Sequence, residues 1–421
     1  MQFKKIQVIF SLLACTLVWS SPIVDEKTNS NGLNATIDNT NNKVAEPTNE
    51  HVVVNKKKCI VKPKKDNITK PVEKEDDEDL KIIKPTNKFQ YITDENFIVT
   101  EFRGDYGLDQ FLENGGGDEN LQLDYVFNLF GYNLTEIMEP YIKKLMENEL
   151  ACSAMFVQND KGGYYFGRVY DMIPTKLLVL VNHPDHGYSS ISSSDINSIA
   201  QTGVFTNEEM YKLYSIVIPV DGINEKGLSI SLHALPFTDP NTQQNDEGKS
   251  QNISYINSVR LILDKAATVD DAIELLKSRN YINTIQNVHY LISDTTGKSV
   301  AVEYYNNTMY VTETPVMTNY YVSEDIEVGH NSVYEVDTRF DDLMKLYKQK
   351  PIKNFTELKD SMYAAIQNNT AGGENTVNTE WTVIHDSLNL EATYYRKFDF
   401  QHGYRIKLES EKPSENRPVE N

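Results

Sequence analysis

One short stretch of this chain, Cys152 to Met172, reads CSAMFVQNDKGGYYFGRVYDM and places a thiol, a guanidinium and a carboxylate close together in sequence. A thiol attacks a carbonyl as its thiolate. A nearby guanidinium favours that form, and a carboxylate can hold an amine or orient the arginine. Whether the three meet depends on local structure. Ser153 to Gln158 and Tyr164 to Arg168 alternate around a turn at Asn159-Asp-Lys-Gly-Gly163, which predicts a β-hairpin. The returning strand brings Gly167-Arg168 back beside Cys152, with Asp171 further along. Taken alone, a lone cysteine is most often a buried structural residue, and an Arg and an Asp near a hairpin end are often an ordinary ion pair.

The elements that must position this hairpin follow from periodicity. Helical patterns cover Leu121 to Leu129 and Thr135 to about Glu149, the second with Pro140 near its first turns. Further strands are expected at Lys176 to Asn182, Gly227 to His233, Val288 to Ser293, Lys298 to Tyr304, Trp381 to His385, Ala392 to Arg396 and Tyr404 to Leu408. Asp294-Thr-Thr-Gly297 marks a second hairpin. Helices are expected at Ile256 to Lys265, Val269 to Arg279, Tyr334 to Lys348 and Thr356 to Gln367, with Thr268 capping the second and Asp271 completing its box. Antiparallel strands broken by helical blocks, without regular βαβ alternation, indicate an α+β fold.

The 421-residue chain carries 61 acidic against 41 basic residues, a formal charge of −20, which disfavours a non-specific grip on nucleic acid. Residues 1–21 hold Lys4 and Lys5 ahead of an apolar run and small residues, the pattern of a secretory signal peptide. The run is shorter than the roughly 20 residues of a membrane span, so no integral span is expected after its removal. Residues 22–84, rich in Asn, Lys, Glu, Thr and Pro, read as a disordered spacer, with an interaction tail or surface anchor as the functional alternative. Removing the signal removes Cys15 and leaves Cys59 and Cys152, too few for a disulfide-stapled scaffold. Sequons at Asn34, Asn67, Asn133, Asn252, Asn306, Asn354 and Asn368 suit a secreted glycoprotein. The expected organisation is a helical pro-segment over 85–151, a catalytic domain over 152–409 and a flexible tail over 410–421.

The ordered set of Cys152, Gly167-Arg-x-x-Asp171, Asn224-Glu-Lys-Gly-Leu228, Gly187-Tyr-Ser-Ser-Ile-Ser192, Asn287 to Asp294, Thr318-Asn319 and Trp381-Thr-Val-Ile-His385 resembles the choloylglycine hydrolase family. That family includes bile salt hydrolases, penicillin V acylases and the more distant acid ceramidases. The resemblance runs through most of Cys152 to Leu408. It implies an N-terminal-nucleophile fold, a four-layer αββα sandwich of two antiparallel sheets between helical layers, and hydrolysis of a linear amide. It implies catalytic roles for Cys152, Arg168, Asp171, Asn224 and Asn319, and for Arg339 a further match in Asp337-Thr-Arg-Phe340. Two departures stand out. Val169 occupies the place of the family's usual Asn in Arg-Asn-x-Asp, and the cysteine lies internally, behind Ala151.

An internal cysteine fits the acid-ceramidase style of precursor, in which the chain cuts its own bond before the nucleophile and the pieces stay together. A new N-terminal cysteine carries its own base, because an α-amine with a reference pKa near 8 lies beside the thiol. The implied substrate is an acyl amide such as a bile-acid conjugate, penicillin V, an N-acyl amino acid or an N-acyl lipid, with no metal or organic cofactor. Two other readings share these motifs: an inactive homologue that binds or builds, and a thiol acyltransferase or peptidase on the same fold. A papain-like pairing of Cys152 with His289, His330 or His385 lacks the local signature around the cysteine. His183-Pro-Asp-His186 reads as a turn rather than a metal pair, and Glu303 as either a supporting acid or an edge ion pair.

Overall fold

A computed structural model describes residues 80–134, 151–235, 243–246, 248–254, 257–282, 287–326, 338–369 and 376–409. The expected signal peptide, most of the spacer with Cys59, the helix at Thr135 to Glu149, His330, Tyr334 to Asp337 and the tail lie outside them. In chain order the first strands are β1 Leu80–Ile83, β2 Gln90–Tyr91, β3 Phe97–Gly104, β4 Ala151–Asn159, β5 Tyr164–Met172, β6 Leu177–Pro184, β7 Ser190–Asp195, β8 Asp221–Asn224, β9 Ser229–Ala234 and β10 Asn252–Ser254. The later ones are β11 Asn280–Ile282, β12 Val288–Ser293, β13 Ser299–Tyr305, β14 Thr308–Glu313, β15 Val316–Met317, β16 Ile352–Lys353, β17 Asn378–Asp386, β18 Glu391–Arg396 and β19 Gly403–Lys407. The helices are α1 Leu108–Glu113, α2 Glu119–Leu129, α3 Asn197–Thr202, α4 Glu208–Val217, α5 Asn257–Lys265, α6 Val269–Lys277, α7 Arg339–Gln349 and α8 Phe355–Ala364.

Among the described residues the strands form two large sheets, one ordered β1-β19-β18-β17-β5-β4-β15 with β16 also on β4, the other β14-β13-β12-β9-β8-β7-β6-β3-β2. β10 and β11 form a separate two-stranded sheet; most pairs are antiparallel, and β1 with β19, β16 with β4, β3 with β6 and β10 with β11 are parallel. The sheets face each other through Phe97, Val179 and Ile223 on one side and Tyr170, Trp381 and Tyr394 on the other. The outer face of the second sheet is covered by α1, α2, α4, α5 and α6, through residues such as Phe111, Phe127, Leu213, Ile262 and Leu276. The outer face of the first is covered by Leu343 of α7 and Leu358 and Met362 of α8. This is the four-layer α+β sandwich.

Local chemistry explains the elements that hold the site. Asn159 closes the β4–β5 turn by accepting from the N–H groups of Lys161 and Gly163 at 2.9 and 2.8 Å. The capping box of α6 forms as expected, with Thr268 accepting from Asp271 N–H and Asp271 accepting from Thr268 N–H.

Two expectations about the region before Cys152 need correction. The spacer does not run to residue 84, because Leu80–Ile83 pairs in register with β19. The segment 85–151 is not simply helical either: β2 and β3 belong to the second sheet, and β3 lies between β2 and β6. Phe97 and Val99 pack between the sheets while Ile98 packs under the helices, so β3 is apolar on both faces and shows no alternation to read. The serine-rich β7 is hidden for the opposite reason, since Ser190, Ser192, Ser193 and Ser194 are all buried polar residues in a strand. Among the described residues no helix is long and apolar enough to cross a membrane.

Gly167 shows how closely the layers meet beside the site. A Cβ built there would lie 2.5 Å from Met362 Sδ of α8. Gly167→Ala is therefore expected to lower stability by about 1–3 kcal/mol through overpacking, measured by denaturant unfolding.

Candidate active site

Strand alternation decides which side chains can meet. Along β4, Cys152, Ala154 and Phe156 face the opposing sheet, while Met155 and Val157 face the helices. Cys152 pairs with Tyr170 and Ala154 with Arg168, so the arginine stands diagonally beside the cysteine on the same face. Its Nη2 lies 3.3 Å from Cys152 Sγ. The hairpin thus delivers the contact the sequence predicts.

Arg168 is fixed by the other sheet. Nη1 donates to Asp221 Oδ2 at 2.5 Å and to the Val220 carbonyl at 2.6 Å, and Nη2 donates to the Leu232 carbonyl at 2.7 Å. The guanidinium also lies 5.1 Å from the centre of the Tyr170 ring, which stacks on Trp381. Arg168, Asp221 and Cys152 are all buried. Burial pushes the Cys152 thiol up, while the charge and hydrogen bond of Arg168 oppose that rise. The thiol is consequently kept protonated at neutral pH.

Asp171 points to the other face of β5. It accepts from Arg339 Nη1 at 2.7 Å and from Thr379 Oγ1 at 2.5 Å. The carboxylate that orients Arg168 is therefore Asp221, not Asp171. Arg339, at the start of α7, is mostly buried and also donates from Nη2 to Asn319 Oδ1 at 3.1 Å. The same Oδ1 accepts from the Cys152 N–H at 2.7 Å, and Asn319 Nδ2 donates to the Ala234 carbonyl at 2.8 Å. Thr379, Asp171, Arg339 and Asn319 thus form a continuous chain ending on the nitrogen of Cys152.

Asn224 does not join this group. Its Nδ2 donates to the carbonyls of Leu263 and Ala266 at 3.0 and 2.8 Å, and its Oδ1 accepts from the N–H groups of Lys226 and Leu228 at 3.0 and 3.2 Å. That exhausts the capacity of the amide. The reason is parity: Ile223 on β8 packs between the sheets, so Asn224 faces the helices, where it ties down the end of α5. The sequence reading missed Asp221, two residues before Ile223 on the inter-sheet face. Strand parity around the Asn224-Glu-Lys-Gly motif was the signal that could have found it.

His233 was also missed. Its Nε2 shares a hydrogen bond with Ser231 Oγ at 2.7 Å, and the ring reaches the Cys152 main chain. Burial, with the charges of Arg168, His289 and Arg339, pushes it well below the usual histidine range, so the ring is neutral. His385, stacked on Phe166 and bonded to Ser229, is lowered to about 4 by burial. Neither it nor His289, bonded to Glu303 and Thr318, reaches the thiol, so neither forms the papain-like pair. His183 bonds Ser189 in the β6–β7 connection. Among the described residues no group of three or more His, Cys, Asp or Glu is placed to hold a metal.

Residues 152–322 match the model of the linear amide C–N hydrolases, choloylglycine hydrolase family. A bile salt hydrolase/transferase of Clostridium perfringens (strain 13 / Type A) is 27% identical over 163 residues, 36% of this chain and 47% of that protein, so the match spans about half the length of the relative. Among solved structures, a mutant conjugated bile acid hydrolase from Clostridium perfringens aligns with 17% identity and a TM-score of 0.44, covering 61% of this chain and 92% of that one. Penicillin V acylase from Agrobacterium tumefaciens aligns with 17% identity and a TM-score of 0.44, covering 61% and 86%.

Removing the carboxylate in Asp221→Asn leaves the buried Arg168 charge without its counterion. A loss of about 3–5 kcal/mol is expected in unfolding experiments. Asn224→Ala is expected to lower stability by about 1–3 kcal/mol while leaving the pH profile of Cys152 alkylation unchanged, with its midpoint above the ordinary thiol range.

Proposed function

We propose that this chain, whose residues 152–322 match the choloylglycine hydrolase family of linear amide C–N hydrolases, is a cysteine amidohydrolase activated by cleavage of its Ala151–Cys152 bond. One observation carries the reading. Both reactive atoms of Cys152 are held by groups suited to them, Sγ by Arg168 at 3.3 Å and the nitrogen by Asn319 at 2.7 Å.

Self-cleavage begins when the Cys152 sulfur attacks the Ala151 carbonyl carbon. The C–N bond breaks, the thiol proton passes to the departing nitrogen, and the acyl group is left as a thioester. Water hydrolyses that thioester, giving a carboxylate on Ala151 and a free thiol and amine on Cys152. In turnover the new amine takes the thiol proton, and Arg168 stabilises the thiolate as it attacks the substrate amide. Asn319 has one Nδ2 hydrogen beyond that given to Ala234, available to the oxyanion. The ammonium returns the proton to the leaving amine, and water releases the acid.

The segment before the cut supplies β1 to one sheet and β2 and β3 to the other, and its helices α1 and α2 to the largest core cluster. This supports two pieces that stay associated after cleavage. Val169 weakens the inactive-homologue reading. Its side chain packs against the α7 and α8 layer with Met155 and Leu358, so the residue type there withdraws nothing from the Cys152 side of the sheet. The signal-like residues 1–21 support entry to the secretory pathway.

The test is intact-mass analysis and N-terminal sequencing of the expressed protein. A fragment beginning Cys152-Ser153-Ala154 is expected, co-eluting with its partner piece under native conditions and absent in Cys152→Ala. Hydrolysis of acyl amides is expected to vanish with it, and activity retained by Cys152→Ala would overturn the assignment. Product analysis with added amine separates hydrolysis from acyl transfer.

A further inference from the structure

Beneath the Asn319 loop lies a buried pair that the mechanism above does not use. His289 on β12 and Glu303 on β13 are both fully buried, with Nδ1 2.9 Å from Oε1. Glu303 is therefore no edge residue. Burying an ionisable pair is expensive, and apolar replacements of such pairs are often as stable, so the bonds that the pair makes decide what it is for.

All of those bonds go to one segment. His289 Nε2 lies 2.9 Å from the Thr318 carbonyl, an acceptor only, so the nitrogen carries a hydrogen and donates. Glu303 accepts from the N–H groups of Val322 and Ser323, both at 2.8 Å. The pair therefore grips the segment at its start and at its end. Asn319, whose Oδ1 receives the Cys152 N–H, lies between the two grips. The same His289 ring meets His233 edge-on at 5.9 Å, and Ala234, next along β9, accepts from Asn319 Nδ2. The loop thus rests on β12 and β13, which the pair joins, and the Asn319 amide on β9, which pairs with β12.

We propose that His289 and Glu303 are positioning residues for Asn319, holding its amide so that the Cys152 nitrogen and the reacting carbonyl meet it in the productive orientation. The inference rests on the amidohydrolase reading. The strands provide a rigid base, the loop carries the functional amide, and the pair converts the first into precision in the second. A pair serving only the core would not commit every external bond to one short loop.

Glu303→Gln and His289→Gln, each made alone and together with Asn319→Ala, test the proposal. For each single change kcat and the self-cleavage rate should fall by about 10- to 100-fold while KM stays within about threefold. In the Asn319→Ala background the same change should have little further effect, because both act through one group. Additive losses that follow the melting temperature would overturn the proposal, as would unchanged kcat in a folded variant. An arm independent of activity uses Cys152→Ala protein, which performs no chemistry. There, Glu303→Gln should shift the Asn319 side-chain amide signals in 15N NMR spectra, and signals that do not move would also overturn it. Wild type that neither cuts itself nor hydrolyses any acyl amide would sink the amidohydrolase reading, yet the spectra would still decide the positioning. Should Glu303→Gln fail to fold, Glu303→Asp keeps the charge, withdraws the carboxylate from Val322 and Ser323, and carries the same expectations.

Discussion

The guanidinium of Arg168 is enclosed between two sheets, where a lone charge would be prohibitively unstable. Its position is consequently over-determined: a carboxylate and two main-chain carbonyls of β8, β9 and the residue before β8 accept from its two Nη groups. That arrangement fixes how β5 faces β8 and β9, and it leaves Nη2 directed at the Cys152 sulfur. Sheet packing and thiol chemistry are therefore one constraint. Shifting either sheet would strand the cation, and removing the cation would leave Asp221 buried without a partner and the thiol without its stabilising charge.

A second line of polar contacts reaches the same cysteine from the helix side. Asp171 and Arg168 are separated by an odd number of positions along β5, so they project to opposite faces and cannot share one partner. The sheet uses this to serve two atoms of one residue. The inter-sheet face brings Arg168 to the sulfur, and the other face brings Asp171, through Arg339 and Asn319, to the nitrogen. The carboxylate acts on the nitrogen through two intervening side chains, each oriented by its neighbour.

Much of this was legible in the chain itself. The hairpin around Asn159 to Gly163, the capped helix at Val269 and the diagonal approach of Arg168 to Cys152 follow from alternation and turn chemistry, which are local. What was not legible depended on contacts distant in sequence. Asn224 carries a motif asparagine, yet its role is set by which face of a four-residue strand it occupies, and its amide is spent on α5. Asp221 and His233 gain meaning only when the second sheet closes over the first. Strand β3 was hidden because both its faces are apolar, and β7 because its buried residues are serines that composition assigns to loops.

The position of the region before Cys152 bears on what a cut at that bond can change. Its strands are edge or internal members of both sheets, held by main-chain hydrogen bonds and by Phe97, Ile98 and Val99 packed on either side. Breaking one peptide bond removes none of these contacts. The proposed cut would change the two ends it makes: Ala151 would gain a carboxylate, and the Cys152 nitrogen would pass from an amide without basic character to an amine beside a thiol. Asn319 Oδ1 already accepts from that nitrogen while the bond is intact, and an amine there still offers it an N–H. The acceptor would not need to move on the proposed cleavage. Under the proposed cleavage, the geometry that holds this amide would also hold the amine that serves as general base, and the fold would have to be stabilised in only one arrangement.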